Sequence, residues 1–216
     1  MSGPLETLAT MSPRAFTTRA LDESAWPDFA ALVERHNGVW GGCWCMEFHA
    51  EGAERSTRRR EMKACRVREG AAHAALVYAV RAAGTDAPGS DTAAVEACVG
   101  WCQFGSPAEL PRIKHKRAYE ADLERLPDWR ITCFFVDKAH RGQGVASAAL
   151  DGALGEIARL GGGVVESYPE HGAGRKVSSS FLHNGSVSLF ERHGFARVRQ
   201  LGKNHWVVAR SIDAPK

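Results

Sequence analysis

The sequence predicts a mixed α/β fold of the α+β kind, built as a single domain with about seven strands. Three observations lead there. The chain has 216 residues, and about 100 to 200 residues make one domain. Its apolar residues recur now at strand spacing and now at helix spacing, giving in order one strand, two helices, three strands, a helix, a strand, a helix and two strands. The clearest passage, Trp129 to Val136, is a nearly continuous β-type run that passes through a glycine-rich turn into an amphipathic helix.

Composition narrows the class. Hydrophobic residues make up 44% and charged residues 25% of the chain, ordinary globular usage that excludes bulk disorder and a fibrous chain. Lys plus Arg number 28 against 25 for Asp plus Glu, a formal charge of +3, which excludes a histone-like electrostatic binder. No stretch approaches the roughly 18 apolar residues of a membrane helix. The opening MSGPLETLATMSPR lacks the charged and apolar regions of a signal peptide. A soluble, unexported, cytoplasmic protein with no membrane partner is expected. Cys43, Cys45, Cys65, Cys98, Cys102 and Cys133 are too sparse for a disulfide scaffold and read as reduced thiols. There is no internal repeat and no low-complexity tract.

Residues 1–14 are small, polar and without an apolar period, so they read as a flexible arm ahead of a domain at 15–216. Ala15 to Ala20 alternates as a strand. Ser24 is placed to cap a helix with Trp26 and Pro27 just inside it, Phe29, Leu32 and Val33 on its buried face and Gly38 ending it. Gly41 to Phe48 is a glycine-opened loop rich in aromatics. A second helix spans Ala53 to Glu69, with Arg55, Arg58, Arg59, Arg60, Lys63, Arg66 and Arg68 on it; Glu54, Glu61 and Glu69 are interspersed and weaken it as a source of field. Ala75 to Val80 and Val95 to Phe104 read as an antiparallel pair joined through the Gly/Pro/Asp/Ser-rich connection Ala83 to Thr92.

Ser106 to Asp128 is charged, bounded by Pro107, Pro111 and Pro127, and reads as an insertion carrying one exposed helix around Lys116 to Leu126. After the strand Trp129 to Val136 comes a helix, Gly144 to Leu160, with Ala146, Leu150, Leu154 and Ile157 on one stripe. Gly152 and Gly155 each cost that helix about 1 kcal/mol relative to Ala, which calls for a packing reason. Gly163 to Tyr168 is a strand ended by Pro169, His171 to Lys176 a flexible loop, and Asn184 to His193 a helix stopped by Gly194. Phe195 to Leu201 and His205 to Ile212 close the chain as a hairpin.

The turn after the central strand carries the chemistry. A pyrophosphate needs several backbone N–H donors converging at the positive end of a helix, and glycines let the backbone approach it. Residues 141–146 offer that geometry. A Rossmann dinucleotide site does not fit, because Ala139, Arg141 and Ser147 stand where its pattern wants glycine. Arg141, Gly144 and Ala146, within Val136 to Ala146, fill the pattern Gln/Arg-x-x-Gly-x-Gly/Ala, and Leu189 to Phe195 supplies a second motif. In these motifs and in element order over residues 15–212 the chain resembles the GNAT-type N-acetyltransferases.

The resemblance implies a mostly antiparallel twisted sheet with helices on both faces, splayed between the fourth and fifth strands. It implies acetyl-CoA as co-substrate, with pantetheine pairing along the fourth strand at Phe134 and Val136. Arg141, Gly142, Gln143, Gly144, Val145 and Ala146 would hold the phosphates, with Asn184 and Phe190 beside the cofactor. The activity implied is direct attack by a primary amine on the thioester in a ternary complex, with backbone N–H groups of the strand stabilising the oxyanion. The acceptor class expected is a small-molecule amine; a protein or peptide N-acetyltransferase and a non-catalytic acyl-CoA-binding regulator are the alternatives. A homodimer is left open.

The chain also departs from the family. Phe190 stands where many members carry a Tyr that protonates the departing thiolate, although a thiol of pKa about 8.5 leaves without help. His183 holds the place of a frequent Asn, with Asn184 next, and Arg130 stands where some protein-lysine acetylating members have Glu. A base or a desolvating pocket is needed to neutralise an amine of pKa about 10.4. Glu166, on the fifth strand and followed by Tyr168, is the first candidate; His183 is the second. In the family the loop between the first two helices walls the acceptor site, so Trp40, Trp44, Met46 and Phe48, with Tyr168, are candidate acceptor contacts, the first four being equally readable as core. The basic helix could face an acidic acceptor, nucleic acid or the CoA 3′-phosphate, but reads as a solvated face, which argues against a nucleic-acid partner. Cys43-x-Cys45 with Cys65 is too tight for a zinc knuckle and no His pair follows, so no metal is expected.

Overall fold

Among the described residues seven strands form one sheet in the order β1-β2-β3-β4-β5-β7-β6: β1 (Phe16–Ala20), β2 (His73–Ala79), β3 (Ala97–Gly105), β4 (Trp129–Val136), β5 (Gly163–Ser167), β6 (Ala196–Leu201) and β7 (His205–Ile212). The computed structural model describes residues 16–54, 56–80, 97–171 and 182–215. The readings made for 1–15, Arg55, 83–92, 95–96 and 172–176 lie outside these. Every neighbouring pair is antiparallel except β4 and β5. That parallel pair is short: Trp129, Arg130 and Ile131 face Val165, Glu166 and Ser167, and β4 then runs on to Val136 with no further β5 partner among the described residues. The sheet is splayed there, as expected.

A bulge sets which side chains face which layer. Ile131 pairs with Phe104 and Cys133 with Gln103 on β3, leaving Thr132 as an extra residue, and the strand's alternation shifts by one across it. Ile131 and Phe134 therefore pack with α4 (Val145–Arg159), while Cys133 and Phe135 face α1 (Trp26–Arg35) on the other side. The first layer holds Phe29, Leu32, Val33 and Trp101. The second holds Leu150, Ile157, Val165 and Phe190, the last from α5 (Val187–Arg192).

Helix ends differ from the sequence reading for local reasons. Ser24 does not cap α1. Asp22 shapes its start instead, accepting hydrogen bonds from the Ser24 hydroxyl at 2.7 Å and the Ala25 N–H at 2.9 Å. The second helix, α2 (Arg59–Arg68), begins later than Ala53 because Ala50–Ala53 is a 3₁₀ turn. A side chain on its Gly52 would meet the Glu47 carbonyl oxygen at 2.2 Å. In the charged segment α3 (Lys116–Ala121) is one short helix, and it is not wholly exposed: Tyr119 is buried. Asn184 lies in a 3₁₀ turn before α5, whose cap is the Ser186 hydroxyl, accepting from the Leu189 N–H.

The two glycines of α4 separate by environment. A Cβ on Gly152 would meet the Thr18 side chain at 2.9 Å, whereas nothing lies within 4 Å of one on Gly155. The packing reason holds for Gly152 and not for Gly155. Gly155→Ala is expected to stabilise by about 1 kcal/mol from helix propensity, and Gly152→Ala to destabilise by about 1 to 3 kcal/mol from overpacking. Urea titrations of the two variants check the opposite signs.

Candidate active site

The splay opens a cleft of about 400 Å³ between β4, the loop after it and the approach to α5. Asp137 fixes that loop: its carboxylate accepts from the Ala139 N–H at 3.0 Å and meets Arg35 and His36, each at 3.3 Å. Burial pushes this carboxyl up, but the Ala139 N–H and the His36 and Arg35 side chains outweigh it and hold it below its usual range. Gly142 and Gly144 take φ of 73° and 92°, a left-handed backbone that glycine adopts without penalty. Gly144 occupies the cap position of α4 with no side-chain cap, and a Cβ on either glycine would stand in open space. The first N–H groups of a 15-residue helix thus meet the cleft without an intervening side chain, which is the geometry of an anion site.

Phe134 and Val136 line the cleft on the strand side; Arg141, Gly142, Gly144, Val145 and Ala146 line it on the loop and helix side. Three residues expected at the cofactor do not line it. Gln143 turns back to donate to the Ala139 carbonyl at 3.0 Å. Asn184 is 1% exposed, and neither side-chain polar atom has a hydrogen-bond partner among the described residues. Phe190 is fully buried behind the wall, its ring 5.9 Å from that of Phe134 and 5.0 Å from that of Phe195. Conversely, the sequence reading missed Ser186 and Arg192, which close the cleft from α5; a basic residue on the last turn of a short helix carries no local signal.

A second cavity, about 230 Å³, adjoins the first. Trp40 lines both, and consecutive residues of β4 divide between them, Phe134 to the cleft and Cys133 to the pocket. Phe48, His183, Glu47 and Arg59 complete most of its wall. The His183 ring lies 6.0 Å from that of Trp40, the residue shared by the two cavities, and 6.0 Å from that of Phe48. The loop carrying this wall is strained: Asn37, Val39, Trp40, Trp44 and Cys45 all have φ between 39° and 57°. Each such residue costs of order 1 to 3 kcal/mol, and such strain gathers at functional sites.

Of the other aromatic candidates, Trp44 stacks on Trp26 at 6.2 Å under the Arg60 guanidinium, and Met46 is 1% exposed, so both belong to the core. Tyr168 is buried as well, and it accounts for Glu166. One Glu166 oxygen accepts from the Tyr119 hydroxyl at 2.8 Å and the Tyr168 hydroxyl at 3.2 Å, beneath α3. Arg130 reaches the same cluster, its guanidinium 5.5 Å from the Tyr119 ring. Glu166 therefore faces the charged segment and lines neither cavity, while His183 lines the pocket.

The basic residues of α2 are largely engaged with neighbours: Arg60 with Glu34 at 2.9 Å and Arg66 with Glu51 at 2.7 Å. Among the described residues no His/Cys/Asp/Glu cluster could hold a metal ion, and no helix is long and apolar enough to cross a membrane.

No family model and no curated protein matches the sequence. Solved structures do. A mosquito arylalkylamine N-acetyltransferase like 5b superposes with a TM-score of 0.50 at 11% identity, over 91% of this chain and 100% of that one. A GNAT superfamily phosphinothricin acetyltransferase from Sinorhizobium meliloti, in complex with acetyl-CoA, matches at 0.48 and 12% identity, over 94% of this chain and 90% of that one. The chain has the GNAT fold. In GNAT terms the parallel, splayed β4–β5 pair is the centre of the sheet, and the turn at residues 141–146 stands at its mouth.

Proposed function

We propose that the protein is an acetyl-CoA-dependent N-acetyltransferase whose acceptor is a primary amine on a small molecule, with direct transfer in a ternary complex. The observation that carries this reading is the junction of the two cavities: a cleft ending on an uncapped helix N-terminus meets an aromatic pocket at Trp40, whose ring lies 6.0 Å from that of the pocket residue His183. The open space before Gly142 and Gly144, with Arg141 and Arg192 in the lining, suits a polyanion. When bound, acetyl-CoA supplies an activated acetyl thioester. The exposed edge of β4 beyond Ile131 offers backbone groups for pantetheine and N–H donors for a developing oxyanion. His183 takes the proton from the incoming amine, in a position that Glu166 does not share, and Trp40 and Phe48 exclude water around it. A pocket of about 230 Å³ favours a compact acceptor over a polypeptide segment. Free thiols throughout favour a reducing, cytoplasmic setting.

An amine-library screen followed by release of free CoA thiol tests the function. Turnover with small amines supports it; turnover only with peptides replaces the acceptor class, and binding of acetyl-CoA without any turnover replaces the enzyme with a regulator. In the same assay Glu166→Gln is expected to retain its rate within a few-fold. Its cost should be to stability, about 1 to 3 kcal/mol for weakening charge-assisted bonds to two tyrosines, measured by chemical denaturation.

A further inference from the structure

The acceptor pocket carries a charge pair that the proposed transfer does not use. Among the described residues, the acidic and basic side chains that line it besides His183 are Glu47 and Arg59. The sequence alone places Arg59 inside a longer basic helix with a solvated face. In the structure the 3₁₀ turn Ala50–Ala53 delays that helix, and Arg59 becomes the first residue of α2. The turn closes tightly on the loop before it, since a Cβ on Gly52 would meet the Glu47 carbonyl oxygen at 2.2 Å. That closure brings Glu47 and Arg59 onto one wall of the pocket.

The two charges are held differently. Backbone orients the Arg59 guanidinium: Nη2 donates to the Glu54 carbonyl at 3.0 Å and to the Gly52 carbonyl at 3.4 Å. Its Nε and Nη1 groups have no hydrogen-bond partner among the described residues. The Glu47 carboxylate lies 3.9 Å from Arg59, beyond hydrogen-bond distance. Glu47 is bound instead by Arg112, which donates from Nε to its carbonyl at 2.9 Å and from Nη2 to its Oε1 at 3.3 Å. The Glu47 side chain is 51% exposed and that of Arg59 14%, so the guanidinium is the deeper of the two groups. Two guanidinium groups share one carboxylate here, which leaves the wall one positive charge in excess. A half-desolvated guanidinium with N–H groups to spare is a seat for a carboxylate.

We propose that the acceptor is a small amino acid, its carboxylate seated on Arg59 and its amine at His183. This rests on the acetyl-transfer reading above and narrows its acceptor class. The two polar groups of one compact molecule find separate partners in a cavity of about 230 Å³. The nearby Glu47 carboxylate repels a dianionic tail more than a monoanionic one, which favours a carboxylate over a phosphate. The amine nitrogen forms a bond to the thioester carbonyl carbon and the bond from that carbon to the CoA sulfur breaks. Of the two protons the ammonium loses, one passes to His183 and on to solvent and the other to the CoA thiolate. The products are an N-acetylamino acid, still held by its carboxylate, and CoA.

The test is kcat/KM of the wild-type protein, with acetyl-CoA as donor, on matched sets: an α- or ω-amino acid, its carboxamide, its decarboxylated amine and the diamine of the same length. The best amino acid is expected to exceed its carboxamide by about 10- to 100-fold, the worth of hydrogen bonds to a charged group. The difference should lie mostly in KM, because the carboxylate is held alike in the ground and transition states. Arg59→Gln should bring the ratio of acid to amide to about one, and Arg59→Lys, which keeps the charge but not the planar group, should leave it in between. The ratio is taken within each protein, so a loss of folded enzyme cancels, and the wild-type comparison needs no variant. Equal turnover of acids and amides overturns the proposal and leaves acetyl transfer to amines intact. A diamine that outpaces both assigns the tail to Glu47 and also overturns it, as does a preference for acids that survives Arg59→Gln. No turnover of any amine would remove the acceptor reading and this proposal together.

Discussion

Replacing His183 with Gln is expected to slow amine acetylation about 10²- to 10⁴-fold at neutral pH, the usual worth of a positioned general base. Acetyl-CoA affinity should stay unchanged, because His183 lines the acceptor pocket and not the cleft. The amine arrives protonated, with a pKa of about 10.4, and an imidazole nitrogen is a side-chain base suited to take that proton. Gln keeps a hydrogen-bonding side chain of similar reach but has no basic nitrogen. The loss should shrink as pH rises toward the amine's own pKa, since more substrate is then neutral before it binds. Kinetics of wild type, His183→Gln and Glu166→Gln across that range are the measurement. A normal rate for His183→Gln at pH 7 would assign the deprotonation to desolvation between Trp40 and Phe48. A large loss for Glu166→Gln alone, with His183→Gln unaffected, would return the role to β5.

The contrast between these two residues shows how far the sequence reaches. Strand β4 and helix α4 were legible to within a residue, because each is a long run with one dominant period, and the glycine turn between them is local chemistry. Glu166 was legible as a strand residue next to the splay. What covers it was not: the Tyr119 hydroxyl arrives from the segment between β3 and β4, which charge and proline marked only as an insertion. The bulge at Thr132 was equally hidden, because a continuous apolar run has no alternation in which a skipped residue would appear. The bulge decides which of Cys133 and Phe134 meets which layer: alternation counted on from Ile131 without it would turn Cys133 toward α4 and Phe134 toward α1, and with it Cys133 faces the pocket and Phe134 the cleft. Phe190 was misplaced for a related reason. A single apolar residue on a six-residue helix can face a cleft or the core behind it, and here Phe134 and Phe195 hold it behind.

Gly144→Asp is expected to abolish acetyl-CoA binding as read by thermal stability. A ligand that binds only the native state, at a hundredfold excess over its dissociation constant, stabilises by about 2.7 kcal/mol, and the variant should lose this shift entirely. The reason is charge at one place. Gly144 sits at the cap of α4 with φ of 92° and ψ of 0°, open space in front of it, where the helix N-terminus favours an anion. An aspartate there satisfies the helix with its own carboxylate and repels the phosphates. Backbone strain is a competing cause, since any side chain is strained at this φ. Gly144→Asn separates the two: Asn has the shape of Asp and shares its tolerance of left-handed backbone, so both should lose similar stability without ligand. The Asn variant should keep part of the ligand shift; the Asp variant should keep none. Melts of the three proteins with CoA, acetyl-CoA and NAD give the answer. Equal loss in Asn and Asp would mean that shape alone excludes the donor. A full shift in the Asp variant would place the phosphates away from the α4 terminus, and a wild-type protein that neither CoA species stabilises would have no donor site in this cleft.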